Sequence, residues 1–362
     1  MNKLLIIKLD HIGDVLWAFP AVAALKASWP HAVFDLVCTP YAREAGERMP
    51  GISRVHDFDP AWPLPRRLAA LAALRREGYD TALVLGPADK YNYVAWASGA
   101  RTRIGYHYAG KIIPYLLDQV FMTRRLLHPA DAAQREGRRL PHEVEAMGQL
   151  AAQLGAVLPA RFRLSFPVYP EEAAAAQKLL APLGPGPFGA FQLVAKAVRR
   201  GGWDAGSFAT LAVSLRNALP HLTWLATAGP LEAELAASCR PGLAAIGVPM
   251  IEDLPLGQMA ALLARLAVFV SWDTGVVHLA SAVGTPVVDI FPPQDADYCM
   301  ARWGPWHDRA VAVIQNGPAP DAAFFAAVAE AAARLGAGAA ASGGKASAAN
   351  GREAYDSCLD GC

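Results

Sequence analysis

Short apolar runs and amphipathic stretches alternate along this chain from its first residues. Residues 4–9 read as a buried strand, 10–14 as a turn and 15–29 as an amphipathic helix. A strand over 33–38, a helix over 66–77 and a strand over 81–85 follow, the last ending at Gly86-Pro87. Residues 141–154 form a further predicted helix. The stretch 159–187 is rich in Pro and Gly and marks a linker, with 171–180 helical inside or just after it. The alternation then restarts, with strands expected at 188–193, 223–227, 268–271 and 287–291. Helices are expected at 207–218, from about Glu232, at 259–266 and at 274–283. From Gly336 onward the chain is Ala/Gly/Ser-rich and loses all periodicity, which predicts a disordered tail.

Alternation of β and α segments at this spacing implies parallel sheets covered by helices. At 362 residues the chain exceeds what one hydrophobic core supports. The expected fold is therefore α/β, with two tandem Rossmann-like doubly wound domains facing a central cleft. Their expected extents are 1–168 and 185–335, with 336–362 as the tail. The composition, 54% hydrophobic and 18% charged, suits a globular protein and excludes a disordered one. Residues 4–7 are too short an apolar run for a secretory signal, and no stretch is apolar enough to span a bilayer, so a cytoplasmic protein is expected. Five scattered cysteines argue against a disulfide framework, and Cys358 and Cys362 read as two thiols on the tail. The net charge of +1 hides an asymmetry: residues 1–165 carry 21 Lys/Arg against 15 Asp/Glu. A basic N-terminal half suits an anionic acceptor or an anionic membrane surface, although solvated arginines explain it as well.

Two segments carry candidate chemistry. In Ser271-Trp272-Asp273-Thr274-Gly275-Val276-Val277-His278, a buried strand runs into a helix at the sheet edge where α/β proteins bind ligands. Backbone N–H groups at Thr274 and Gly275, with the helix dipole behind them, favour a diphosphate. Asp273 can hold sugar hydroxyls, and His278 lies one turn along toward the same mouth. Asp273 and Thr274 are also ordinary helix N-caps, and His278 alone is as good a structural histidine. The second segment is Lys8-Leu9-Asp10-His11-Ile12-Gly13-Asp14-Val15, where Gly13 allows a tight turn. Asp14 can accept a proton from an attacking hydroxyl as general base, or it can simply stabilise the helix start. With Gly13 alone, the segment lacks the Gly-x-Gly-x-x-Gly turn of a nicotinamide enzyme, which disfavours an oxidoreductase.

Both segments resemble glycosyltransferase family 9, the ADP-heptose:lipopolysaccharide heptosyltransferase family. The resemblance rests on Ile12-Gly13-Asp14, Pro20 and Ala24-Leu25-Lys26, then on Asp273–Ala280 with Gly284-Thr285-Pro286. Weaker matches are Arg103-Ile104-Gly105-Tyr106, His142-Glu143-Val144-Glu145, Trp203 and Arg302-Trp303-Gly304-Pro305. It implies the GT-B architecture, an inverting single displacement without metal or cofactor, and a nucleotide-diphosphate sugar, ADP-heptose, as donor. It further implies Asp14 as general base, with Thr274, Gly275 and His278 at the diphosphate, Asp273 at the sugar and Glu232 at the ribose. The implied acceptor is an anionic, lipid-linked saccharide of the lipopolysaccharide core, met peripherally at the inner face of the cytoplasmic membrane, with no nucleic acid involved. Arg66, Arg67, Arg101, Arg103, Lys111, Arg124 and Arg125 are the candidate acceptor contacts.

Two departures stand out. Gly201-Gly202-Trp203 occupies the place of the family's Lys-x-Trp phosphate clamp, leaving Lys196, Arg199 and Arg200 just upstream as candidate replacements. Phe291-Pro292-Pro293 replaces a common Phe-Gly-Pro. Other readings of the same residues are a family-9 transferase using another nucleotide sugar or a protein acceptor, and a catalytically silent nucleotide-sugar-binding protein.

Overall fold

The computed structural model describes residues 1–86, 91–109, 112–294 and 296–340. The chain divides into two units, Met1–Phe166 with Ala301–Trp303, and Pro167–Met300 with Gly304–Cys362.

In the first unit, β1 (Lys3–Lys8), β2 (Val33–Cys38), β3 (Arg54–Asp57), β4 (Thr81–Val84), β5 (Thr102–His107) and β6 (Arg124–Leu127) form a six-stranded sheet. Between and after them come α1 (Ile12–Ser28), α2 (Arg43–Glu47), α3 (Leu64–Arg76), α4 (Asn92–Ala97), α5 (Ile112–Phe121), α6 (Pro129–Arg135) and α7 (Glu143–Ala152). The strand order is β3-β2-β1-β4-β5-β6, all parallel. Leu4 to Ile7 are fully buried because helices cover both faces of the sheet. On one face α1 packs against α2 and α7. On the other, Leu5 and Ile7 share a core with Leu74 of α3, Val94 and Ala95 of α4, and Met122 just beyond α5. Right-handed crossovers require this division once the chain reverses direction between β3 and β4.

The second unit repeats the design. Its strands are β7 (Phe188–Gln192), β8 (Thr223–Ala228), β9 (Met250–Glu252), β10 (Leu266–Trp272), β11 (Val287–Phe291) and β12 (Ala310–Ile314), ordered β12-β11-β10-β7-β8-β9 and all parallel. Its helices are α8 (Pro170–Leu180), α9 (Ala195–Gly201), α10 (Ala205–Ala218), α11 (Ala233–Ala245), α12 (Leu256–Leu263), α13 (Gly275–Ala282), α14 (Ala296–Trp303) and α15 (Ala322–Ala340). The last three residues of α14 count with the first unit. The two doubly wound halves of the expected GT-B architecture are thus present.

Several boundaries differ from the sequence expectation. Helix α8 packs on α12, so it belongs to the second unit rather than to a linker. Helix α15 runs to Ala340, past the expected start of the tail at Gly336, because Phe324, Phe325, Val328 and Ala332 anchor it in the core. Cys358 and Cys362 lie outside the described residues. Helix α1 starts at Ile12, three residues earlier than expected. Gly13 is therefore a buried first-turn residue and is not among the glycines with left-handed φ. No helix among the described residues is long and apolar enough to cross a membrane.

Candidate active site

Both sheets reverse direction beside their first strand, between β1 and β4 and between β7 and β10. Adjacent loops diverge at such a point, opening a crevice at the carboxyl edge of the strands. The candidate residues follow those strands.

In the first unit, Lys8 is the last residue of β1 and has no solvent exposure. Its Nζ lies 2.8 Å from Asp10 Oδ2 and 3.9 Å from Asp14 Oδ1. Asp14 stands at the third position of α1, where its Oδ2 accepts the His11 backbone N–H at 3.1 Å. One carboxylate thus has two partners: Oδ2 closes the helix end and Oδ1 faces the lysine. Burial raises the Asp14 pKa above the ordinary aspartate value; Lys8 partly offsets this, and Asp10 adds to it. For Lys8 itself burial acts downward, but Asp10 and Asp14 outweigh it and hold the ammonium form. Such a pair makes the Asp14 carboxylate more basic than a solvated one, the direction a general base needs.

Behind this pair lies a network that sequence reasoning did not assign. Glu143, at the start of α7, is buried and accepts a hydrogen bond from Arg302 Nη2. His128 Nδ1 accepts the Ala130 N–H at 3.2 Å, which leaves Nε2, 3.5 Å from Glu143 Oε1, as the protonated nitrogen. Tyr108 stacks on the His128 ring at 4.9 Å. Burial pushes the Glu143 carboxyl up, but the His128 hydrogen bond and the Arg302 charge hold it well below the usual range.

In the second unit, Thr274 is the N-cap of α13, with extended backbone and no side-chain cap. The first-turn N–H groups of α13 thus stand at the carboxyl edge beside Asp273. Lys196, in the first turn of α9, donates to Asp273 Oδ2 at 2.8 Å and to its backbone oxygen at 3.0 Å. His278 is buried, with Nε2 4.0 Å from Asp273 Oδ1. Glu232, after β8, accepts the Ala195 N–H at 3.5 Å; burial raises its pKa, with nearby Arg199 acting in the opposite sense. Arg199 and Arg200 are exposed in the last turn of α9. The structure therefore gathers Lys196, Glu232, Asp273, Thr274, Gly275 and His278 along one edge.

The packing explains why a lysine is absent from Gly201. A Cβ at Gly201 would overlap the Trp272 ring; Gly202 has a left-handed φ of 63°, and a Cβ there would strike the Pro318 carbonyl. Gln315 fastens the loop, accepting from Trp203 Nε1 at 2.7 Å and donating to the Gly201 oxygen at 2.7 Å. Lys196, upstream of the glycines, is paired with Asp273. Beneath Lys196, Asp289 on β11 is fully buried, and among the described residues its carboxyl meets at most the Ile290 backbone N–H in a weak contact. Burial first, then the charge of Asp273, pushes its pKa well up, while Lys196 acts against them. Burial thus favours the protonated form of Asp289.

The predicted acceptor arginines separate into two groups. Arg66 and Arg67 lie in the first turn of α3, on the carboxyl-edge side, with the Arg66 guanidinium 3.7 Å over the Trp62 ring. Arg101 and Arg103 flank the start of β5, and Arg124 and Arg125 open β6, so all four stand at the opposite, amino edge. Arg103 donates there to the oxygens of Phe121 and Ala100 at 2.6 and 2.7 Å. Lys111 lies outside the described residues. Among the described residues no group of three or more His, Cys, Asp or Glu is placed to hold a metal ion.

With this geometry in place, a sequence model described as glycosyltransferase family 9 (heptosyltransferase) matches residues 67–324. The chain belongs to glycosyltransferase family 9. The matched span contains the Asp273–His278 edge, and the Asp14 turn precedes it. Lipopolysaccharide heptosyltransferase 2 of Salmonella typhimurium is 24% identical over 313 residues, covering 82% of this chain and 84% of that protein. Among solved structures, E. coli ADP-heptose lipopolysaccharide heptosyltransferase II superposes with a TM-score of 0.72 at 20% identity, over 94% of this chain and 100% of that one. The family 9 glycosyl transferase of Veillonella parvula gives 0.70 at 20% identity, over 87% and 86%. E. coli heptosyltransferase WaaC with ADP-2-deoxy-2-fluoro heptose gives 0.67 at 21% identity, over 92% and 98%. These likenesses establish the fold of this family 9 glycosyltransferase as that of the heptosyltransferases.

Proposed function

We propose that this chain transfers heptose from ADP-heptose to a lipopolysaccharide core acceptor with inversion, at the cytoplasmic face of the inner membrane. The reading is carried by Asp14, a carboxylate of raised pKa at the carboxyl edge of β1, held beside a buried ammonium group. Asp14 takes the proton from an acceptor hydroxyl as that oxygen attacks the anomeric carbon. ADP departs from the opposite face. Charge building on its diphosphate is met by the N–H groups at the start of α13 and by Lys196, without a metal ion or other cofactor. Arg199 and Arg200, exposed farther along α9, add to that clamp. Asp273, released by Lys196, receives sugar hydroxyls; Glu232 takes the ribose hydroxyls, and His278 supports the diphosphate edge. Arg66 and Arg67 suit the phosphates of the acceptor.

Incubation with ADP-heptose and phosphorylated Kdo-lipid A, with and without EDTA, tests this. ADP release, a lipid mass gain of one heptose, unchanged turnover in EDTA and a product of opposite anomeric configuration are expected. A mass gain with retained configuration would overturn the single displacement, and EDTA-sensitive turnover would overturn the metal-free step. The closed Gly201-Gly202 loop favours one second reading, a family 9 transferase with another nucleotide sugar or a protein acceptor. It would be selected if ADP-heptose does not bind while another nucleotide sugar does.

A further inference from the structure

Helix α5 is inverted in polarity. Its acid, Asp118, is buried and accepts from Asn92 Nδ2 at 2.9 Å. Its aliphatic residues Ile113, Leu116, Leu117 and Val120 are 72%, 57%, 50% and 59% exposed. These four share one helix face at the i, i+3, i+4, i+7 spacing, which an ordinary surface helix turns toward the core. The exposed Trp96 of α4 continues the apolar surface, its ring 5.9 Å from that of Phe121 at the end of α5. Contiguous apolar surface of this kind marks a binding face.

The charge around it selects the partner. Between residues 64 and 127 the chain has ten Lys or Arg and four Asp or Glu. Three of those acids are committed elsewhere: Asp118 is buried, Glu77 is paired with Lys3 and Arg54, and Asp80 accepts from the Asn2 and Lys3 N–H groups. Arginines, by contrast, are exposed around the layer that α3, α4 and α5 form. Arg75 and Arg76 are exposed in the last turn of α3, and the Arg75 side chain lies across Gly99 just past α4. An aliphatic stripe on a helix layer that also exposes arginines matches a bilayer with anionic headgroups, where the stripe enters the interface and the guanidiniums stay with phosphate.

We infer that the outer face of α3–α5 docks this chain on an anionic lipid bilayer, with the α5 stripe inserted at the headgroup boundary. This deepens the lipid-linked acceptor reading and rests on it for its purpose, but the docking itself is measured without any transfer. Full-length protein is sedimented with vesicles of phosphatidylglycerol and phosphatidylethanolamine, and separately with phosphatidylcholine vesicles. Wild type is expected to pellet with the anionic vesicles and to remain in solution with phosphatidylcholine or at high salt. Ile113→Glu with Leu117→Glu, and separately Arg75→Glu with Arg76→Glu, should each lower partitioning about tenfold or more. Thermal midpoints and turnover on a deacylated, water-soluble acceptor should stay at wild-type values. Equal pelleting of wild type and both variants would overturn the proposal. So would equal pelleting with phosphatidylcholine, or a wild-type dimer that the aliphatic variant converts to monomer, which would assign the stripe to a second copy of the chain. Absence of heptose transfer alongside intact vesicle binding would sink the functional reading and leave the docking face standing.

Discussion

At the carboxyl edge of each sheet a lysine meets an aspartate, and the two pairs differ in how far water reaches them. Lys8 has no exposure and touches two carboxylates that are themselves 12% and 20% exposed, so the difference lies in the lysine, which cannot turn to water. Lys196 is 28% exposed on its side chain and touches one carboxylate that is itself 22% exposed. The same two residue types therefore do opposite work. In the proposed reading the buried lysine is a fixed charge that tunes Asp14, and the wetter one is free to exchange Asp273 for the diphosphate of a donor.

The largest expected effect comes from Asp14→Asn. The amide oxygen keeps the cap on the His11 N–H, so stability should change little, whereas transfer should fall by about a thousandfold, within the range for loss of a general base. Calorimetric binding of ADP should be unaltered. A variant with activity within tenfold of wild type would move the base elsewhere and remove the purpose assigned to Lys8.

Lys8→Met separates the two lysines next. Leaving Asp10 and Asp14 without their buried counter-charge should cost about 3 kcal/mol, read as a lowered denaturation midpoint. Because Lys8 holds the Asp14 pKa down, its removal lets that pKa rise, and the acid limb of kcat/KM should move to higher pH. ADP affinity should stay the same. Lys196→Gln should do the reverse, weakening ADP binding about tenfold through loss of a charge-assisted hydrogen bond, with the acid limb unmoved. If both variants shift both quantities, the division of labour between the pairs is wrong.

How much of this was legible differs by element. β1, β2, β4, β10 and β11 announce themselves as short apolar runs because both sheet faces are covered. β3 and β6, with Arg54 and the Arg124–Arg125 pair at their starts, carry too little apolar signal, and ladder pairing to a neighbour defines them as strands. Helix α5 escaped notice because its apolar face is not a core face, and Pro114 sits in its first turn. At the site, Asp14 and Asp273–His278 were legible because a strand, a turn and a helix start lie contiguous in sequence. The Arg302–Glu143 contact joins residues 159 apart, and Asp289 sits mid-strand in Val287–Phe291 as an apparent irregularity. Gly201 and Gly202 read as a clamp shifted upstream to Lys196, Arg199 and Arg200; the Trp272 ring and the Pro318 carbonyl leave no room for side chains at the glycines themselves.

The smallest effect concerns Asp289, which decides whether Lys196 is free to move. An ionised Asp289 would hold Lys196 between two carboxylates and withhold it from phosphate; a neutral one leaves Asp273 as the main counter-charge. Its folded pKa is raised well above that of an unfolded chain, about 3.9. Below that unfolded value both states carry the proton and the stability it brings is fully present. As pH rises toward the folded pKa, the unfolded chain loses a proton that the native state keeps, so stability falls by up to about 1.4 kcal/mol per pH unit. Asp289→Asn removes that slope. The wild-type melting temperature should therefore decline from pH 5 to pH 7 relative to the variant, while ADP affinity at pH 7 is the same in both. Parallel melting curves would mean that Asp289 is ionised in the native state. Lys196 would then be a fixed charge like Lys8, and the contrast between the two pairs would collapse.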